Sequence, residues 1–135
     1  MKKVLIVDDV LIVRNIVVNL FKNSDELSDF EVLTASNGRD AYDIIKKQTI
    51  HVMILDWMLE EESGLDLVKK LKLEYDTTRI VMLSSIAERH KVREAAQTGI
   101  ADYIVKPLVK ENFIPRFLKV ASIINATSAI ETKNP

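Results

Sequence analysis

The chain contains no cysteine. Disulfide staples, thiolate zinc sites and cysteine nucleophiles are excluded with it. It also lacks a charge excess of either sign. Its 19 Lys and Arg stand against 20 Asp and Glu, a formal net charge of −1, so no global field draws it toward nucleic acid or anionic lipid. Long apolar runs are missing too: no segment approaches the roughly 18 apolar residues of a membrane-spanning helix. The basic start Met1-Lys2-Lys3 leads into Val4-Leu5-Ile6-Val7 and then two aspartates, which is no signal-peptide core. These absences predict a cytoplasmic protein with neither direct nucleic acid binding nor membrane insertion. What is present is 135 residues, 47% hydrophobic and 29% charged, a composition that builds one packed domain of ordinary size.

The informative feature is where the apolar runs stop. Val4-Leu5-Ile6-Val7 ends at Asp8-Asp9, Val52-Met53-Ile54-Leu55 at Asp56, Ile80-Val81-Met82-Leu83 at Ser84-Ser85, and Tyr103-Ile104-Val105 at Lys106-Pro107. Short continuous apolar runs read as strands covered on both faces, as in a parallel sheet. Parallel strands present their carboxyl ends along one edge, and ligands of open α/β sheets bind beyond that edge. Asp8, Asp9, Asp56, Ser84 and Lys106 are therefore expected to converge.

Helical patterns alternate with these runs. Val10 to Phe21 carries Ile12, Val13, Ile16, Val17 and Leu20 at the spacing of a buried helix face, with Arg14, Asn15 and Asn19 opposite. Phe30 to Ala35 is a further strand. Ser36-Asn37-Gly38 turns into a helix with Ala41, Ile44 and Ile45 inward. Ser63 reads as an N-cap, with Asp66 three residues on, of a helix running to about Leu73. A fourth helix covers about Glu88 to Gln97 and stops at Gly99. The last starts near Asn112, so that Pro115 falls in its first turn. Handedness and two-sided cover leave few topologies for this alternation. The expected fold is a flavodoxin-like doubly wound (βα)5 sheet in the order 2-1-3-4-5, which sets the strand ending in Asp8-Asp9 beside the one ending in Asp56. The expected domain spans residues 1–126, followed by a polar, frayed tail over 127–135.

Three clustered carboxylates repel one another unless a cation sits among them. Oxygen ligands suit a hard ion, and Mg2+ fits a site of few carboxylates that also takes phosphate oxygens. A lysine and a small hydroxyl complete what a phosphoryl group needs, and a carboxylate can serve as its nucleophile. Asp56 is the natural acceptor, with Asp8 and Asp9 holding the metal.

The ordered pieces Val7-Asp8-Asp9 with Arg14, Ala35-Ser36-Asn37-Gly38 with Ala41, Leu55-Asp56 with Ser63-Gly64-Leu65, Leu83-Ser84-Ser85, and Gly99 through Asp102-Tyr103-Ile104-Val105-Lys106-Pro107 carry a resemblance. Over about residues 2–125 the chain resembles the receiver domains of bacterial two-component response regulators, and looks most like the stand-alone chemotaxis-Y type. The resemblance implies phosphoryl transfer from a sensor histidine kinase or phosphotransfer protein to Asp56. It implies Mg2+ held by Asp8, Asp9, Asp56 and the backbone carbonyl of Met58, and phosphate contacts from Ser84 and Lys106. It further implies a cis bond before Pro107, a switch through Ser84 and Tyr103 that alters partner binding on the fourth helix, fifth strand and fifth helix, and a monomer or phosphorylation-dependent dimer. The chain departs from the pattern at Glu60, where receivers carry proline, at Ser63, where they carry an acid, at Ser84 for threonine and at Ser85 for alanine.

Trp57 reads as packing rather than chemistry, His51 and His90 as surface or strand-start residues, and Glu60-Glu61-Glu62 as a solvated loop. Arg89, His90, Lys91 and Arg93, with Arg116 and Lys119, are either a plain exposed face or a basic docking surface. Three other functions fit parts of the pattern: a magnesium-dependent phosphohydrolase with an aspartyl intermediate, a receiver belonging to a longer effector-bearing regulator, and a phosphate-independent receiver fold. The first would want a second carboxylate two residues after the nucleophile, where Met58 stands.

Overall fold

A computed structural model of the chain describes residues 1–122 and residue 130. Five strands, β1 (Lys2–Val7), β2 (Phe30–Ala35), β3 (Val52–Leu55), β4 (Ile80–Ser84) and β5 (Asp102–Val105), alternate with α1 (Leu11–Lys22), α2 (Gly38–Lys47), α3 (Gly64–Lys72), α4 (Arg89–Ala96) and α5 (Lys110–Ser122). All neighbouring strands pair in parallel, in the order β2-β1-β3-β4-β5. This is the expected flavodoxin-like sheet.

Side chains alternate across a strand, and the alternation divides the core in two. Leu5, Val7, Met53, Leu55 and Met82 face a layer made by Ala41, Ile45, Leu67, Val68, Leu71 and Ala95 from α2, α3 and α4. Val4, Ile6, Val52, Ile54, Val81 and Leu83 face the other side, against Val17 and Phe21 of α1 and Phe113 and Phe117 of α5. Phe117 meets the rings of Phe21 and Phe30 edge-on, each at 5.1 Å, contacts worth about 0.5–1.5 kcal/mol apiece beyond area burial. The caps follow the sequence: Asn37 accepts from the Asp40 amide and Ser63 from the Asp66 amide, while Gly99 takes the positive φ of 86° that closes α4.

Several details depart from expectation. In α1 the buried residues are Val17 and Phe21, whereas Ile12 is 71% and Ile16 50% exposed. Apolar residues occupy nearly every side of this helix, so their spacing selects no face; the Phe21 ring, locked among Phe30, Phe113 and Phe117, does. Helix α5 starts earlier than Asn112 and carries Pro115 inside it. Val109 accepts amide bonds from Asn112 and Phe113 and so begins the turn sooner, while the carbonyl that Pro115 leaves unbonded belongs to exposed Glu111. A short 3-10 turn at Asp25–Leu27 was not anticipated. The tail expected over 127–135 lies outside the described residues apart from Ile130. That residue is buried, and its amide donates to the Ile50 carbonyl at 2.8 Å. Among the described residues no helix is long and apolar enough to cross a membrane.

Candidate functional site

Three residues of the carboxyl edge are held by a backbone bond one step beyond their strands. The Asp8 amide donates to Ala35, that of Asp56 to Val7, and that of Lys106 to Ser84, at 3.2, 3.0 and 2.8 Å. The side chains are thereby delivered to one place. Asp8, Asp9 and Asp56 each offer a carboxylate oxygen within 4.8 Å of the others. Asp8 and Asp56 are buried, and Asp9 is partly exposed. Lys106 reaches over from β5 with Nζ 3.2 Å from Asp8 Oδ2 and 3.3 Å from Asp56 Oδ2. The Lys106-Pro107 bond is cis.

The remaining lone pairs are used locally. Asp8 Oδ1 accepts from the Val10 amide at 2.9 Å, and Asp56 Oδ1 from the Met58 amide at 3.1 Å. Arg14 of α1 curls back to donate to the Asp8 carbonyl at 2.6 Å. Burial pushes the Asp56 carboxyl above the usual carboxylate range; the Met58 amide and Lys106 oppose the shift, and Asp8 adds to it. One lysine against three clustered acids leaves the pocket with surplus negative charge, two of its carboxylates being out of water. An all-oxygen donor set with that surplus fits a hard divalent cation such as Mg2+.

The loop after Asp56 folds tightly over the acceptor. The Trp57 carbonyl accepts from both the Leu59 and Gly64 amides, at 3.1 and 2.6 Å. A Cβ on Gly64 would stand 2.1 Å from the Asp56 carbonyl oxygen and 2.9 Å from Trp57 Cα, so only glycine allows this closure. Glu60 and Glu61 are exposed as expected of a solvated loop, but Glu62 is not free: its Oε2 pairs with Lys70 Nζ at 2.8 Å.

On the other side of the acceptor, Ser84 is fully buried, with Oγ accepting the Ile86 amide at 3.1 Å. Tyr103 is buried as well, and its hydroxyl donates to the Ile86 carbonyl at 2.7 Å. Burial raises its phenol above the usual value, against the effect of a hydrogen bond with Ser84. Trp57 packs edge-on against Tyr103 at 6.3 Å, and Lys91 lies over its indole at 6.0 Å. Of the basic cluster, Arg89, His90 and Arg93 are exposed, whereas Lys91 is partly covered. Arg116 adds no free charge to that face. Its guanidinium grips Asp102 at 2.9 and 2.7 Å and the Tyr103 carbonyl at 2.9 Å. His51 is the strand-start residue of the two alternatives: it directly precedes β3, is buried, and its Nδ1 accepts the Lys3 amide at 2.9 Å.

Asp8, Asp9, Asp56 and Lys106 thus meet, Met58 touches Asp56 through its amide, and Ser84 and Tyr103 share Ile86 beside them. The roles of Arg14, Gly64 and Arg116 in supporting the site escaped the sequence reading. Only the steric demand at Gly64 leaves a trace there, as a glycine directly after an N-cap serine.

A family model described as the response regulator receiver domain matches residues 4–117. Among curated proteins, a chemotaxis protein CheY homolog of Campylobacter jejuni is 36% identical over 120 residues, covering 87% of this chain and 86% of its own. The transcriptional regulatory protein SrrA of Staphylococcus aureus is 34% identical over 137 residues, with 98% of this chain matched to 53% of that protein. Among solved structures, the chemotaxis response regulator CheY4 of Vibrio cholerae superimposes with a TM-score of 0.76 at 31% identity, covering 89% of this chain and 98% of the other.

Proposed function

The chain belongs to the response regulator receiver domain family and is a receiver domain of two-component signalling, and from that premise we propose that it works as a phosphorylation switch whose acceptor is Asp56. The observation that carries this reading is the meeting of Asp8, Asp9 and Asp56 within 4.8 Å under a single lysine.

Asp8, Asp9, Asp56 and the Met58 carbonyl would hold Mg2+, which when bound neutralises charge on the oxygens of the phosphoryl group. The protein's own residues do the rest. A carboxylate oxygen of Asp56 attacks phosphorus, the bond to the donor's histidine nitrogen breaks, and an acyl phosphate forms. Lys106, already 3.3 Å from Asp56, offers its charge to a phosphoryl oxygen. Ser84 donates a hydrogen bond to another, drawing the start of the β4–α4 connection inward and carrying the change through Ile86 and Tyr103 to the face of α4, β5 and α5. Water later hydrolyses the acyl phosphate, so turnover is slow self-dephosphorylation rather than enzymatic processing of a small substrate.

The phosphodonor is a sensor histidine kinase or a phosphotransfer protein. Supporting a protein donor, α1 exposes Leu11, Ile12 and Ile16 directly after the acidic pair, and Met58 is 58% exposed on the acceptor loop. A second reading, a receiver joined to an effector in a longer regulator, is favoured by the SrrA match, which spans about half of that protein. The test is incubation with acetyl phosphate and Mg2+, which should add one phosphoryl mass to the unaltered chain and none to Asp56→Asn. An equal mass gain in the variant overturns the assignment.

A further inference from the structure

We infer that Glu62 is a positioning residue of this receiver: its carboxylate, seated in the gap left by Gly38 and paired with Lys70, holds the loop after Asp56 against α2 and α3. The inference rests on the functional reading above and concerns how that loop is fixed where the family's proline is replaced by Glu60.

The loop has firm anchors at its two ends. Leu59 is buried and its amide is bound by Trp57, and Gly64 closes on the same carbonyl. Between them Glu60 and Glu61 point into solvent, so neither supplies the stiffness that a proline would. Glu62 turns the other way. Its Oε2 meets Lys70 on α3, while its Oε1 lies 2.5 Å from where a Cβ on Gly38, the first residue of α2, would stand. Gly38 needs no unusual backbone angle, since among the described residues only Gly99 has a positive φ. Its missing side chain therefore serves space, and that space is shared by the carboxylate and by Leu67 Cδ1, which would lie 3.3 Å from the added Cβ. The N-terminus of α2 is also a favourable setting for an anion. Apolar packing joins the same parts below, where Leu59 and Leu67 share a core with Ala41, but above it an open groove of about 440 Å³ separates α2 from α3, with Glu62 and Lys70 among its walls. Glu62 is thus the link between the acceptor loop and α2 on this side.

Charge alone and positioning predict opposite signs in the right variants. Lys70→Met removes the cation paired with the acidic loop after Asp56, which on charge alone tightens a divalent ion; loss of the link loosens it. Gly38→Ala keeps every charge and evicts the carboxylate, while improving the helix propensity of α2.

The experiment is Mg2+ titration of Trp57 emission, with thermal melts in chelator, for the unaltered protein, Glu62→Gln, Lys70→Met, Gly38→Ala and the Gly38→Ala/Glu62→Gln double variant. Each single variant should raise the Mg2+ midpoint by up to about tenfold, the low end of what losing a direct partner of a metal ligand costs, because Glu62 acts through the loop and touches no ligand. The double variant should match the worse single one, because both remove the same contact. Gly38→Ala should melt no lower than the unaltered protein, separating loop placement from general stability. An unmoved or lowered midpoint in Lys70→Met and Gly38→Ala, beside a normal curve for the unaltered protein, overturns the inference alone. Absence of any saturable response in the unaltered protein overturns the functional reading and the inference together.

Discussion

The hydroxyl of Tyr103 donates to the carbonyl of Ile86 at 2.7 Å, which pins the ring inward on unphosphorylated protein. The same Ile86 gives its amide to Ser84 Oγ. Both side chains are buried, so the ring already sits inward beside a serine that carries no methyl. In the proposed switch, phosphorylation therefore has little inward movement of Tyr103 left to make. Tyr103→Phe should keep the edge-on contact with Trp57 and lose the hydrogen bond, costing about 0.5–1.5 kcal/mol in urea unfolding. Labelling of Asp56 by acetyl phosphate should stay within about twofold, since the bond gates output rather than chemistry.

Asp56→Asn should raise the melting temperature at pH 7 in the absence of metal. Burial lifts the folded-state pKa of this carboxyl above its unfolded value. A group shifted that way costs stability once pH climbs through the interval, and costs nothing below the unfolded pKa of about 3.9. The advantage of the asparagine should accordingly fade as melts are repeated toward pH 4. A gap that persists or widens in acid would contradict the sign of the shift.

Lys106→Met removes the cation lying between Asp8 and Asp56. Without metal the variant should be less stable at pH 7, by less than the about 3–5 kcal/mol of breaking a fully buried pair, because Lys106 keeps 22% of its side chain in solvent. Mg2+ should bind it more tightly, having no lysine to displace. Calorimetric titration at matched ionic strength measures this, and weaker binding would show that Lys106 organises the acids instead of competing for them.

Gly64→Ala should cost at least the ~1–3 kcal/mol of overpacking, because the atoms in the way are backbone of Asp56 and Trp57 and cannot rotate aside. Phosphorylation at Asp56 should fall with it. A variant of wild-type stability and labelling would mean the loop has a second closed form.

Ile12→Lys on the exposed side of α1 should leave labelling by acetyl phosphate unchanged and slow transfer from a phosphorylated histidine domain. Equal slowing with both donors would place the effect on the site itself.

The fold was legible because the apolar runs are interrupted so sharply: a strand that ends in Asp8-Asp9 or in Lys106-Pro107 declares both its layer and its exit. The acidic residues, the lysine and the hydroxyl were readable for the same reason, since strand ends in a parallel sheet leave little freedom of place. What could not be read depends on contacts between distant segments. Nothing local distinguishes Glu62 from Glu60 and Glu61, or tells that Arg116 will spend its charge on Asp102. The exposed side of α1 was misassigned because that helix is apolar on nearly every side, and the deciding Phe21 contacts lie on β2 and α5.

The three amide bonds that carry Asp8, Asp56 and Lys106 one step past their strands divide the labour of evolution within this molecule. The reacting groups inherit their spacing from the sheet ladder, so the loops between them are released from that duty and are open to revision. On the proposed function, glutamates in the loop after Asp56 or a serine at position 84 would change lifetime, partner choice or metal demand while the acceptor and its lysine stay where the hydrogen-bonded framework put them.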